Sequence, residues 1–330
     1  MTSRRQAITR TSTLLAAAVA ACHGAPAFAD DYPAKPVRLV IPYPAGGATD
    51  VIARLLADKL GAKWGQGVIA DNRPGAGTTI GAEMVARSAP DGHTLFMTTS
   101  AHTISGSLYK KLSYDPLKDF TPITLVATIP LVLVVSPELP VNNLQDLVRL
   151  AQTSGKGISF ASPGNGTAQH LAGELFKNRA KFESTHIPYR GDAPMITDLL
   201  GGQVQAAFVT LSVAIPYIQG GKLKALALAL AHPTRSEQVK NVPTFSEAGY
   251  PGFEAATWFG LLAPAGLSPS LMKKIRTDVA TIVDTPQMRE KLAELGAEVN
   301  NTTPEAFQAF IQAENVRWKE AVRVSGATIN

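Results

Sequence analysis

The sequence predicts an α/β protein of two units, and three observations carry that prediction. Strand-like apolar runs alternate with helical patterns. The alternation starts afresh after the apolar segment Leu125 to Ser136, and one local design (strand, glycine turn, helix) occurs once in each unit. With 45% hydrophobic and 17% charged residues, the chain has the apolar content of a globular protein and enough length for two cores of the usual ~150 residues each.

The first thirty residues read as an export signal. Arg4, Arg5 and Arg10 precede an apolar run, Leu14 to Ala21, and then Ala27-Phe28-Ala29, which fits cleavage after Ala29. The run is shorter than the roughly 20 residues of a membrane span. Two variants stand beside this reading: twin-arginine export through Ser3-Arg4-Arg5, and a lipoprotein box at Val19-Ala20-Ala21-Cys22. Cleavage at 29 removes three of the 31 basic residues and none of the 26 acidic ones, leaving 28 against 26, a net of +2. No nucleic-acid partner is implied. The chain's one cysteine, Cys22, leaves with the signal, so the expected periplasmic protein has no disulfide.

In order, the expected elements are a strand at Val37 to Ile41, a helix at Val51 to Leu60, a strand at Gly67 to Ala70, a helix at Ile80 to Ser88 and a strand at Thr94 to Thr98. The second unit follows with a helix at Leu144 to Gln152, a strand at Ile158 to Ala161 and a helix at Ala168 to Arg179. It continues through Met195 to Leu200, Ala206 to Thr210, Ile215 to Gln219 and a strand at Leu223 to Ala229. A Pro- and Gly-rich stretch, Pro243 to Pro269, then leads into terminal helices. Such alternation predicts mainly parallel strands.

The repeated design carries the chemistry. Val37 to Ile41 runs into Pro42-Tyr43-Pro44-Ala45-Gly46-Gly47-Ala48-Thr49-Asp50, and Ile158 to Ala161 runs into Ser162-Pro163-Gly164-Asn165-Gly166-Thr167. Glycine lets backbone amides approach a ligand closely, and a helix's first turn offers unpaired donors with partial positive charge, so an anion fits at either place. Taken singly, each loop reads first as a tight βα turn, with Thr49 or Asp50 and Thr167 as caps. Their pairing in two units favours a shared ligand. His170, three residues past Thr167, reads either as a donor to the bound anion or as a tie between loop and helix. Asp50 would repel an anion and reads as an N-cap accepting amides. Asp198 reads as a brace for the second unit's loop, and Trp258 and Phe259 as core rather than cleft floor.

Enzymatic signatures are thin. Gly46-Gly47 lacks the lysine of a phosphate-binding loop, Gln169 stands where a third glycine would complete a dinucleotide fingerprint, and there is no G-x-S-x-G elbow. Ser100 and His102 are too close in sequence to assume a nucleophile and its base. His93, His102, His170, His186 and His232 show no paired metal-ligand spacing. No catalytic residue, metal or cofactor is expected.

The ordered segments resemble a known family, the Bug-type extracytoplasmic solute receptors of tripartite tricarboxylate transporters. The resemblance rests on Pro42-Tyr43-Pro44-Ala45-Gly46-Gly47 with Asp50 and Arg54, on Asp71-Asn72-Arg73-Pro74-Gly75-Ala76-Gly77, and on Ala89-Pro90-Asp91-Gly92-His93-Thr94. It extends through Tyr114-Asp115-Pro116, Gly164-Asn165-Gly166-Thr167 with His170, Pro188-Tyr189-Arg190-Gly191 with Asp198, Val242-Pro243-Thr244, and Trp258-Phe259-Gly260-Leu261. It implies a two-lobed periplasmic-binding-protein (Venus flytrap, type II) fold with two crossing strands. Lobe one would hold residues 35–129 and 231–330, lobe two residues 130–230, with hinges near Ile129 and Ala231. By the same resemblance, Tyr43, Ala45, Gly46, Gly47, Thr49 and Asp50 face Gly164, Asn165, Gly166, Thr167 and His170 across a small carboxylate. Ser100, Ala101 and His102 on lobe one and Gly191, Asp192 and Ala193 on lobe two would complete the site. The segments around 98–104 and after Tyr189, including Arg190, would set specificity. The ligand implied is a di- or tricarboxylate, an amino acid or an aromatic acid. The partners implied are membrane transporter subunits, met transiently by a monomer. A ligand-sensing partner of a membrane histidine kinase would use the same cleft, and a periplasmic hydrolase is the enzymatic alternative.

Overall fold

The computed structural model describes residues 32–109, 111–155, 157–230 and 236–327. The expected export signal, Cys22 and the expected hinge residue Ala231 lie outside them. The chain begins with β1 (Val37–Ile41), α1 (Ala48–Trp64), β2 (Val68–Asn72), a 3-10 turn at Ala76–Thr78, α2 (Thr79–Ala86), β3 (Thr94–Thr99), α3 (Ala101–Leu108) and the long strand β4 (Phe120–Val135). It continues with α4 (Leu144–Thr153), β5 (Ile158–Ser162), α5 (Ala168–Ala180), β6 (Ser184–Pro188), α6 (Asp192–Leu200), β7 (Ala206–Thr210), α7 (Leu211–Gln219) and β8 (Lys224–Leu228). β9 (Ala256–Pro264), α8 (Pro269–Val283), α9 (Pro286–Glu294), β10 (Glu298–Val299) and α10 (Pro304–Ser325) complete it. The last three helices start alike. Ser268, Thr285 and Thr303 each accept an amide from three residues on, and a proline with its φ already helical fills the first turn.

The strands run in the order β2-β1-β3-β9-β4-β7-β5-β6, with β8 and β10 also paired to β4. Parallel pairing joins β1 to β2 and β3, and β5 to β6 and β7. Apart from an isolated parallel bridge between Leu228 and Thr244, every other pairing among the described residues is antiparallel and involves β4 or β9. The expectation of a mainly parallel sheet is therefore corrected to a mixed one. β9 escaped the sequence reading because eight of its nine residues are buried, so neither face shows the alternation that marks a half-solvated strand.

β4 changes partners midway. Phe120 to Pro130 pair with β9, and Leu131 to Val135 pair with β7. Pro130 has no N–H to donate, so the ladder can break there. Beyond it Leu131 donates to Ala255 O at 3.0 Å and accepts from Ala229 N at 2.9 Å, while Ala255 N donates to Ala229 O at 3.1 Å. Residues leading into β9 do not join the first half. Phe245, Ala248, Phe253 and Ala255 are buried with Phe176 and Phe208, and the Phe245 and Phe253 rings lie 4.4 Å apart.

A second cluster holds Val40, Phe96, Phe120, Trp258 and Phe307. Trp258 and Phe259 are core residues, 2% and 0% exposed. α10 reaches both clusters: Phe307 and Ile311 belong to the second, Trp318 and Ala321 to the first. Between them buried Glu314 accepts the indole N–H of Trp258 at 3.0 Å and of Trp318 at 2.7 Å, and Arg317 pairs with it at 3.1 Å. A buried carboxylate is tolerable only when so satisfied.

Gly173 within α5 lies against the buried ring of Phe160, whose Cδ1 would stand 2.6 Å from an added methyl. Gly→Ala inside a helix ordinarily stabilises by about 1 kcal/mol. Here Gly173→Ala is expected to destabilise by about 1–3 kcal/mol through overpacking, read as a lowered urea midpoint with unchanged slope.

Candidate functional site

The first glycine turn is held from inside. Gly47 is the N-cap of α1 with no side chain to cap it, and Asp50 stands in the first helical turn, not at the cap expected from the sequence. From there its carboxylate reaches back to accept Gly46 N at 3.0 Å, Asn72 Nδ2 at 2.9 Å and Arg54 Nε at 2.9 Å. Asn72 Nδ2 also donates to Tyr43 O at 2.9 Å. Burial alone would push the Asp50 pKa up, but the bonds from Arg54, Asn72 and Gly46 outweigh it and hold the group below its ordinary value. Ala45 and Gly46 form the exposed tip of the turn, while Gly47 and Thr49 are buried.

The second turn repeats this device with different chemistry. Thr167 caps α5, accepting His170 N at 3.3 Å and donating to Gly164 O at 2.8 Å. Gly166 N donates to His170 Nδ1 at 3.3 Å. In both loops a glycine amide is thus tied to a side chain four residues ahead, Gly46 to Asp50 and Gly166 to His170. His170 stacks on His186 at 3.9 Å, and His186 Nε2 meets Ser162 Oγ at 2.7 Å. Burial lowers the His170 pKa to about 4, with Lys177 adding to the effect, so the ring is neutral and can accept. His170 is therefore a tie between loop and helix.

Beyond β6, Gly191 caps α6 and donates to Pro163 O at 3.0 Å, and Tyr189 Oη donates to Asp198 Oδ2 at 2.6 Å. Asp198 does brace this segment. The segment then meets the first turn. A methyl group built on Gly47 would lie 2.6 Å from Asp192 Oδ2, and one on Gly191 3.1 Å from Pro44 Cγ. Gly191 is buried, Asp192 half-buried, and Ala193 and Arg190 exposed.

Beside this meeting point opens a cavity of about 690 Å³. Of the residues expected at the site, Tyr43, Gly164, Asn165, Thr167 and Gly191 line it. Tyr43 Oη is bonded to Thr99 Oγ1 at 2.9 Å. Thr78 and Tyr109 also line the cavity and were missed. A signal for them was present: Pro74-Gly75-Ala76-Gly77 is a third glycine turn after a strand. There Ala76 and Thr78 hold φ of 45° and 84°, values few side chains adopt, and Tyr109 Oη donates to Ala76 O at 2.6 Å.

The segment after β3 divides. Ser100 and Ala101 are buried at the start of α3, with Ala101 N donating to Thr99 Oγ1 at 3.3 Å and Ser100 Oγ enclosed without a hydrogen-bond partner. His102 turns the other way. Its Nε2 meets Pro116 O at 2.8 Å and its ring sits edge-on to Phe120 at 4.6 Å. Its side chain is a core group and not a cleft group, because helical backbone at 101–108 rotates it under the sheet. Burial lowers its pKa to about 4 despite the Pro116 bond. Among the described residues no group of three or more His, Cys, Asp or Glu side chains is arranged to hold a metal ion, and no helix is long and apolar enough to cross a membrane.

Residues 52–326 match the family described as tripartite tricarboxylate transporter family receptor. Protein BugT of Bordetella pertussis is 37% identical over 307 residues, 92% of this chain and 94% of BugT. The solved structure of R. palustris Rpa4515 with adipate superposes with a TM-score of 0.87 at 35% identity, covering 91% of this chain and 100% of that one. MatC from Rhodopseudomonas palustris, solved with bound malate, gives 0.83 at 32% identity, covering 88% and 100%.

Three histidines, the buried His102 and His170 and the half-buried His186, are neutral. His102 and His170 fall to about 4, and His186 to about 3 through burial and then His170, opposed by Glu174. A depressed histidine pKa contributes stability that is complete above the ordinary 6.5 and is lost as pH falls toward 4. Thermal melts between pH 7 and pH 4 should show this decline. His102→Gln, which keeps a donor for Pro116 O but does not titrate, should make it shallower by that residue's share, leaving the part due to His170 and His186.

Proposed function

The chain belongs to the tripartite tricarboxylate transporter family of receptors, and from that premise we propose that it is a periplasmic solute-binding protein that closes on a small carboxylate for uptake. The carrying observation is that the two glycine turns, each ending at a helix N-terminus, line one cavity, with the first turn also meeting the Gly191–Asp192 segment beside it. First-turn amides at Ala48 and Thr49, and at Ala168 and Gln169, have no intrahelical acceptor. They offer carboxylate oxygens hydrogen bonds and a favourable dipole without a cationic side chain. The bound adipate and malate of the two related structures are the type of solute such a pair of anion sites accommodates.

In this reading the chain is exported and cleaved after Ala29, binds its solute as a monomer, and is met by membrane transporter subunits when closed. It holds solute without transforming it. The first lobe comprises the sheet from β2 to the first part of β4 with β9 and β10, and the second lobe the last part of β4 with β5 to β8. The outward crossing falls at Pro130, beside the expected hinge at Ile129. We take the return crossing at Ala255 to Ala256, since Phe245 to Ala255 pack with the second lobe's aromatic residues; the hinge expected near Ala231 lies outside the described residues. Ser100, lacking a partner for its hydroxyl, stands ready to contribute to the first lobe's side of the site.

Two measurements test this. In a thermal-shift screen, adipate, malate, citrate, amino acids and aromatic acids are offered beside their amides. At least one acid should raise Tm by mass action on the folded state, and its amide should not. Gly47→Ala is sterically allowed in its own loop, where φ is −85°, but its methyl would meet Asp192 Oδ2. It should weaken binding of that acid at least tenfold in calorimetry while the ligand-free Tm stays close to wild type. Unchanged affinity would sink the idea that the first turn closes on the segment after β6 around the solute.

A further inference from the structure

Asp192 is an acid where an anion site needs none. Its Oδ1 is enclosed and has no hydrogen-bond partner, while Oδ2 lies 2.6 Å from where a methyl on Gly47 of the first turn would stand. The neighbouring titratable group is Tyr43, whose own pKa is raised by burial, with the charge of Asp192 contributing. Burial alone pushes the Asp192 pKa up to about 6, and no nearby cation offsets it. Arg190, two residues away, is exposed. Near pH 7 the charge on this carboxylate has only the N-terminal dipole of α6 beside it and no cation, a costly state for an enclosed oxygen.

Compensation has to come from what the cleft encloses. A solute that is only anionic would set its oxygens near a like charge and raise the cost. A solute with a positive donor at one end would remove it, since an ammonium N–H to a desolvated carboxylate is among the stronger hydrogen bonds. The geometry points to a zwitterionic ligand, an amino-bearing carboxylate whose acid group lies at the helix N-termini and whose ammonium donates to Asp192 Oδ1. This rests on the carboxylate-receptor reading and narrows it. Asp192 becomes the residue that selects amino acids over plain diacids of equal length.

Calorimetry at pH 7.5 with matched pairs tests it: L-aspartate against succinate, L-glutamate against glutarate, and β-alanine against propionate. In at least one pair the amino member should bind tenfold or more tightly than its partner. Asp192→Asn and Asp192→Ala, each checked by circular dichroism for intact fold, should bring that ratio near one by weakening the amino member and not the plain acid. If plain diacids bind as well or better, with proton uptake shown by heats that vary with buffer, Asp192 is protonated in the complex. The receptor reading then survives and this inference fails. Preference for the amino member that persists in both variants also overturns it. No binding by any acid, here or in the thermal-shift screen, overturns the receptor reading itself and this inference with it.

Discussion

The whole arrangement hangs on β4, sixteen residues that carry the ladder from one half of the sheet into the other. Because its first part pairs with β9 and its last part with β7 and β8, everything on either side is fixed relative to this strand. The parallel strands β1, β2, β3, β5 and β6 then deliver their carboxyl ends, and the loops that follow them, to the candidate site. Clefts in open α/β sheets form at such ends. Here the ends of two half-sheets are brought face to face by one exchange of partners at Pro130.

Given that frame, each glycine turn has to be stiff before a solute arrives. Asp50 and His170 accomplish this by unlike means, a bonded carboxylate held ionised and an imidazole held neutral. Each occupies one glycine amide that the sequence alone would have assigned to the ligand. The amides of Ala48, Thr49, Ala168 and Gln169 remain, set at fixed positions. A site whose donors are already ordered loses little entropy on binding.

The fold was legible wherever a helix or strand has a consistent buried face. β1 and β7 lie at the residues expected, and the helices over 48–64, 144–153 and 168–180 extend the expected cores by a few residues. β9 was hidden because it is buried on both faces and contains Gly260, whose lack of a side chain answers to Phe307 on a helix far along the chain. The two turns were legible as glycine-rich strand-to-helix junctions. What each residue does in them was less so. The side chain of Asp50 could be assigned to the backbone, but not to Gly46 in particular. His102 was placed in the cleft because sequence does not show which way a side chain leaves a short helix. The encounter of Asp192 with Gly47 joins distant segments, and only the assembled sheet reveals it.

α10 has a mechanical consequence. At 22 residues and 1.5 Å of rise per residue it is a rod of about 33 Å, seated at Phe307 in one aromatic cluster and at Trp318 in the other, with Glu314 riveting both indoles midway. Parting the jaws must either slide the Trp318 end across the phenylalanines or flex the rod near Glu314. One buried strut thereby ties the two aromatic clusters together, and any parting of the jaws strains it.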